Sequence, residues 1–406
     1  MPTVVIIGTL DTKGEEFAFA RRLIEGHGCQ VTLMDVGISE PAHSVPDIAA
    51  VAVAEAAGSS LAVLRAGNDR GAAMTAMAAG AAVLARDLHA AGRLDAVFSL
   101  GGSGGTSIAT AAMRALPVGV PKLMVSTLAA GNVAPYVGAS DIMMMYPVID
   151  FAGLNIISKR IIANAAAAVT AMAKLAGGPI VPARPVVAIT MFGVTTPAAT
   201  VARAFLEKAG YEVLVFHANG AGGRTMEALM RDGVIRGVLD LTTTELADEL
   251  VGGTLSAGPD RLEMAGTLGL PQVVSLGALD MVNFGPPETI PERFANRKFY
   301  RHNPMVTLMR TTPQECAALG AMIAAKLNRA KGPVAVYVPS SGVSAIATPG
   351  GVFHDPAADN ALISALTKGL DPRIDCIVEG TDINNPEFAV AMARRLHDLM
   401  RSGPGT

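Results

Sequence analysis

The chain has no tryptophan, and aromatic residues of all kinds make up only 4% of it. So few rings argue against stacking platforms for single-stranded nucleic acid. Basic residues are not in excess either: 32 Lys and Arg face 35 Asp and Glu, a formal net charge of −3. With no basic stripe, nucleic acid is not an expected partner. The three cysteines, Cys29, Cys316 and Cys376, lie far apart without metal-ligand spacing. That excludes a disulfide scaffold and suggests a reducing, cytoplasmic setting. No uncharged apolar run reaches the roughly 20 residues of a membrane span. The longest candidate, residues 161–175, has Lys159, Arg160 and Lys174 at its ends and reads as a buried helix. A signal peptide is not expected, because Asp11, Lys13, Glu15 and Glu16 arrive at once.

What the chain has in quantity is apolar residues, half of its 406, and 43 glycines. That length accommodates two domains of ordinary size. In the first half, short β-branched runs at 3–7, 31–34, 96–100, 123–125 and 143–146 alternate with helical patterns at 13–27, 69–91, about 104–116 and 158–176. Strands alternating with helices of this length predict βαβ units and a parallel sheet. Gly177-Gly178-Pro179 to Pro185 reads as a linker. A second series follows, with strands at 186–190, 212–216, 238–241, 272–275, 306–309, 334–338 and 374–378. The expected fold is therefore α/β: two Rossmann-like, doubly wound parallel-sheet domains, 1–178 and 179–406, facing across a cleft.

In such sheets ligands bind outside the carboxyl ends of the strands, so each strand-to-helix turn is a candidate site. The turn Gly101-Gly102-Ser103-Gly104-Gly105-Thr106 carries four glycines that let a phosphate approach the backbone. Free N–H groups and the helix dipole at about 104–107 then favour negative charge. It is neither a Walker motif nor a dinucleotide fingerprint. Tight strand-helix packing without a ligand is the competing explanation. In Gly8-Thr9-Leu10-Asp11-Thr12-Lys13-Gly14, we expect Thr9, Thr12 and Lys13 to contact phosphate. Asp11 would hold a ribose or a magnesium-bound water, or simply cap the helix. Asp35 ends the second strand, where an acid often takes ribose hydroxyls. Ser126, Thr127 and Gly131, in the turn 126–132, would close the site, and Ser140-Asp141 serves the ligand or caps a turn.

These turns carry a resemblance. Gly-Thr-x-Asp-Thr-Lys near the start, Gly-Gly-Ser-Gly-Gly-Thr near residue 100 and Pro-Lys-x-x-x-Ser-Thr at 121–127 resemble one known family. So do Gly138-x-Ser140-Asp141, Asn155-x-x-Ser158-Lys159 and His217-Ala218-x-Gly220-x-Gly222-Gly223-Arg224, so the likeness covers nearly the whole chain. The family comprises the ATP-binding N-terminal part of the tomato mosaic virus resistance protein and its uncharacterised bacterial relatives. The resemblance implies two Rossmann-like subdomains, ATP on the first, and a dimer. Plant members continue into a barrel resembling phosphoenolpyruvate-handling enzymes; this chain stops before it, which makes a separate barrel protein a candidate partner.

Catalytic candidates concentrate in the second half. His217 titrates near neutral pH, and Arg224 can grip a carboxylate or phosphate bidentately. Asp240 and Glu245 belong to a strand-end polar cluster, 240–245, whose ordinary explanation is helix capping. Residues 275–303 read as a long irregular stretch and hence a functional lid, with Asp280, Asn283, Arg297, Arg301 and His302. Hydroxyls gather at 339–344, and Glu379 and Asp382 could hold a metal, with Asn384 as a helix cap. The expected function is an ATP- and magnesium-using enzyme acting on a small carboxylated metabolite. The alternatives are a nucleotide-gated binding module and a lyase or hydrolase that binds an anionic substrate without ATP.

Overall fold

The computed structural model describes residues 1–175 and 182–402. The chain forms two compact units, Met1–Ile180 and Val181–Thr406. The linker core Gly177-Gly178-Pro179 and the 178/179 boundary lie outside the described residues.

In the first unit the chain runs β1 (Thr3–Gly8), α1 (Leu10–Gly26), β2 (Gln30–Asp35), α2 (Ala50–Ala56), α3 (Leu61–Ala66), α4 (Arg70–Ala90), β3 (Ala96–Gly101), α5 (Ser103–Arg114), β4 (Lys122–Ser126), α6 (Ala134–Val137), β5 (Met143–Met145) and α7 (Ile156–Leu175). The strands form one parallel sheet in the order β2-β1-β3-β4-β5. Successive side chains of a strand point to opposite faces, and β1 shows the result. Val4 and Ile6 pack with Phe17 of α1 and with Ile162 and Val169 of α7, while Val5 and Ile7 pack with Met77 of α4 and Ile108 of α5. Helices cover both faces, which is why the strands read as continuous apolar runs. By length and composition α7 could cross a membrane, yet Ile162, Ala165, Ala166 and Val169 are buried against the sheet.

Two helix starts differ from the expectation. Helix α1 begins at Leu10, not Lys13, so the Thr9–Lys13 motif is its cap and first turn, with a kink at Lys13. Helix α5 begins at Ser103 with Gly102 as N-cap, so Gly104 and Gly105 lie inside its first turn. Helices α2 and α3 lie in a stretch that carried no clear period.

The second unit comprises β6 (Val186–Met191), α8 (Thr196–Lys208), β7 (Glu212–His217), α9 (Ala221–Arg231), β8 (Ile235–Thr242), α10 (Glu245–Val251), α11 (Met264–Leu268), β9 (Gln272–Gly277), β10 (Met281–Phe284), β11 (Phe299–Asn303), β12 (Val306–Arg310), α12 (Pro313–Leu327), β13 (Val334–Pro339), α13 (Pro356–Gly369), β14 (Asp375–Glu379) and α14 (Pro386–Ser402). Its six-stranded parallel sheet has the order β14-β13-β9-β8-β6-β7. Helices α8 and α14 cover one face, and α10, α12 and α13 the other. The expected strand at 306–309 is real but belongs elsewhere: β12 is the middle of an antiparallel sheet, β10-β12-β11. The stretch 275–303 is therefore not a structureless lid, because it supplies both outer strands of that sheet. Proline and glycine at 285–287 and Pro291 punctuate it so densely that strands of four and five residues were hidden.

Gly80 sets how closely α2 and α4 approach: a Cβ there would sit 1.8 Å from the Val53 carbonyl oxygen. Gly80→Ala should therefore destabilise the first unit by about 1–3 kcal/mol, as overpacking does; thermal denaturation with an unchanged Tm would refute this close packing.

Candidate functional site

In the first unit β1 lies between β2 and β3, so successive connections leave it in opposite directions and a crevice opens beyond the carboxyl ends of β1 and β3. A cavity of about 550 Å³ occupies it. Its walls come from the start of α1, the turn after β2, the α3–α4 corner and the start of α5. The size falls in the usual range for small-molecule sites, roughly 300–1,000 Å³.

The start of α5 is held from behind. The Thr106 N–H donates to the Gly102 carbonyl at 2.9 Å, and the Thr106 hydroxyl donates to the same oxygen at 2.7 Å. That hydroxyl also meets the Ser126 hydroxyl at 2.7 Å, which ties the turn to β4. The N–H groups of Ser103, Gly104 and Gly105 precede the first helical bond, as the opening N–H groups of any helix do. A Cβ at Gly102, Gly104 or Gly105 would meet no neighbour closer than 3.5 Å; at Gly104 the nearest atom is Nη2 of Arg70, at 3.6 Å. Packing within the protein therefore does not require glycine at these three positions. Gly8 is the contrary case, since a Cβ there would lie 2.5 Å from the Phe17 ring.

Of the residues expected at a nucleotide, Thr9, Asp11, Thr12, Lys13, Gly102, Ser103, Gly104 and Gly105 line the cavity. Gly8, Asp35, Gly101, Thr106, Ser126, Thr127 and Gly131 do not. Asp35 is buried, and one carboxylate oxygen accepts from the N–H groups of Leu10 (3.2 Å) and Gly37 (2.9 Å). Burial pushes its pKa up, although those two bonds oppose the shift. It shapes the turns behind the cavity. Lys13 donates to the Phe151 carbonyl at 2.6 Å, and the Asp11 carboxylate accepts from the Ser39 N–H at 3.2 Å. Asp141 is a structural partner, binding the buried Lys122 ammonium at 2.6 Å and the Gly119 N–H at 2.8 Å. Sequence reasoning missed Arg65 and Arg70, and the apolar wall of Leu64, Met74 and Met77. Only Asp69, which caps α4 through the Ala72 N–H at 3.0 Å, signalled that corner.

The second unit repeats the topology, with β6 between β7 and β8, but its glycine turn is differently used. One carboxylate oxygen of Glu245 accepts from the N–H groups of Gly220 (2.7 Å) and Gly223 (3.0 Å) at the start of α9. Its other oxygen accepts from Arg261 Nε at 2.6 Å, while the two Nη atoms of Arg261 grip Asp240 at 2.5 and 2.7 Å. All three side chains are buried. Asp240 and Glu245, read above as catalytic, are thus committed to an internal ion network. The glycines there are needed for space: a Cβ at Gly222 would lie 1.9 Å from the His217 carbonyl oxygen, and one at Gly223 2.2 Å from the Glu245 carboxylate.

His217 and Arg224 stay at the surface. The His217 ring packs on Phe192 with centroids 5.1 Å apart. Burial lowers its pKa and so favours the neutral ring, partly countered by the charge of Glu245. Arg224 donates to the Ser256 carbonyl at 2.8 Å. Elsewhere, Ser344 donates to the buried Asp280 at 2.8 Å, Arg297 pairs with Glu315 at 2.6 Å, and Arg301 and His302 lie on the exposed strand β11. Asn384 bridges Val194 and Ala198, whereas Asn385 caps α14; the cap is one residue later than expected. Among the described residues no three His, Cys, Asp or Glu side chains gather as metal ligands.

Arg261→Ala leaves three carboxylates, Asp240, Glu245 and the neighbouring Glu227 at 3.6 Å, without their cation and should cost about 3–5 kcal/mol, read as a lower urea midpoint; an unchanged midpoint refutes the network's importance. Burial raises the Asp248 carboxyl to about 7 even though Asn283 and Leu255 donate to it. The unfolded value is about 3.9, so between those values the folded chain holds a proton the unfolded one has lost. This contribution to stability is present below about pH 4 and is lost as pH rises to about 7. Asp248→Asn should flatten that part of the stability–pH curve; an unaltered slope refutes the assignment.

The family described as Uncharacterised protein family (UPF0261) N-terminal domain matches residues 2–177, and its C-terminal domain residues 184–400. A UPF0261 protein of Clostridium tetani is 50% identical over 398 residues, covering 98% of both chains. One from Rhizobium meliloti is 49% identical, covering 98% of this chain and 99% of that one. The ToMV resistance protein Tm-1(GCR237) of Solanum lycopersicum is 46% identical over 306 residues, 74% of this chain and 41% of that protein. A solved UDP-N-acetylglucosamine 2-epimerase from Rickettsia bellii covers 99% of this chain and 96% of its own at 12% identity; its TM-score, 0.23, is too low to carry an argument.

Proposed function

This chain belongs to the UPF0261 family, and we propose that its first unit is a nucleotide-binding module whose ligand is ATP. One observation carries the reading: Gly102, Gly104 and Gly105 border a cavity at the sheet's switch point, where the protein's own packing leaves room for a side chain. Glycine is then explained by the close approach of something else to the backbone. Arg70 beside Gly104 and the amino end of α5 favour an anion there. The apolar wall of Leu64, Met74 and Met77 suits a base. Magnesium would arrive on the phosphates and keep most of its water, as that ion commonly does. A homodimer, a barrel-protein partner and a small carboxylated substrate belong to the same proposal, on the strength of the resemblance alone.

A binding module gated by the nucleotide is the second reading, and the second unit favours it over an enzyme. Asp240 and Glu245 are buried in ion pairs, which leaves His217 and Arg224 as its exposed candidates. ATP turnover in the presence of candidate metabolites would decide for the enzyme.

Gly104→Val should weaken ATP binding by at least about tenfold, some 1.4 kcal/mol, while the melting temperature without ligand changes little. Unchanged affinity in calorimetry refutes the anion cradle. His217→Ala should leave ATP affinity intact and abolish any turnover; surviving turnover removes His217 from the catalytic candidates.

A further inference from the structure

Helix α3 differs from every other wall of the first unit's crevice. It has six residues, of which only Leu61 is buried, and Val63 is 64% exposed. The helices on either side are fixed. Helix α2 lies tight against α4 at Gly80, and Asp69 caps α4. Between them α3 is joined by corners in left-handed conformations: Gly58 at φ +71° before it and Asn68 at φ +46° after it. Left-handed backbone suits glycine and asparagine, so the chain turns sharply at both ends of α3.

Arg65 sits near the carboxyl end of this helix and lines the cavity. Its guanidinium donates to the Ile38 carbonyl and lies 3.4 Å from the Glu40 carboxylate. Glu40 is itself 89% exposed. Such solvated pairs contribute little and are screened by salt. A phosphate presents a guanidinium with a doubly hydrogen-bonded, more highly charged partner.

We propose that α3 is a latch over this crevice and that Arg65 is its anion-sensing residue. The guanidinium exchanges Glu40 for the phosphates of the incoming nucleotide, and α3 closes over the ligand. This rests on the nucleotide reading above. It deepens that reading by naming the residue outside the glycine turn through which phosphate controls access to the site.

The test combines calorimetry with hydrogen exchange on the whole chain, using ATP, inorganic tripolyphosphate and adenosine as probes. Arg65→Ala should weaken ATP about tenfold or more, Arg65→Lys less, and Glu40→Gln should strengthen it several-fold. ATP and tripolyphosphate should slow exchange of the amides of Leu61–Ala66 in the unaltered protein and not in Arg65→Ala; adenosine should slow it in neither. If the unaltered protein binds ATP but Arg65→Ala binds it equally well, or the α3 amides do not respond, the latch is refuted and the nucleotide site stands. If the unaltered protein binds neither ATP nor tripolyphosphate, the nucleotide reading falls and the latch falls with it. Because Arg65 lies on the surface, equal melting temperatures for the variants without ligand exclude misfolding as the cause.

Discussion

A helix that follows a parallel strand begins with N–H groups that no helical carbonyl can reach. In this protein two of those helix starts meet a carboxylate from elsewhere in the chain and a third faces a cavity, and much of the local architecture follows from the difference. At α1 the Leu10 N–H is met by Asp35, a carboxylate from the neighbouring strand. At α9 the N–H groups of Gly220 and Gly223 are met by Glu245. At α5 the first turn instead borders an open cavity, with an arginine alongside.

The α9 solution has consequences for the whole second unit. An anion drawn into the interior requires a cation, and Arg261 supplies it while also gripping Asp240. Desolvating such groups is expensive, and mutual attraction offsets it only when the geometry is good and the hydrogen bonds are complete. Here Asp240 also accepts from Thr190, whose hydroxyl oxygen in turn accepts the Thr242 N–H, so β6, β8, α9 and α10 are joined through one polar network. The result is specific but closed. Glu245 takes up the N–H groups at the start of α9 from within the protein.

Much of the fold was legible because a parallel sheet covered on both faces makes long apolar runs with glycine-rich ends. The eleven strands of the two parallel sheets were all visible in that pattern. Residues 275–303 read as irregular because antiparallel strands of four and five residues, broken by proline, lack the length for a period to show. Helix α3 and Arg65 were missed for a related reason: a six-residue helix has less than two turns in which to repeat.

The two glycine turns show where the limit lies. Gly101-Gly102-Ser103-Gly104-Gly105-Thr106 and Asn219-Gly220-Ala221-Gly222-Gly223-Arg224 both follow a strand and both open a helix. From sequence alone each is a potential anion cradle, because glycine spacing reports backbone access and nothing about what uses it. The sequence alone determined the alternation of strand and helix, and so the α/β class and the positions of these turns. Tertiary structure decided their different uses, because the relevant partners are remote in sequence. Glu245 and Arg261 fill one turn from within, while Arg70 and the α3–α4 corner leave the other facing a cavity. No local pattern encodes which distant side chain will arrive at a helix start, since that depends on how the strands are ordered in the sheet.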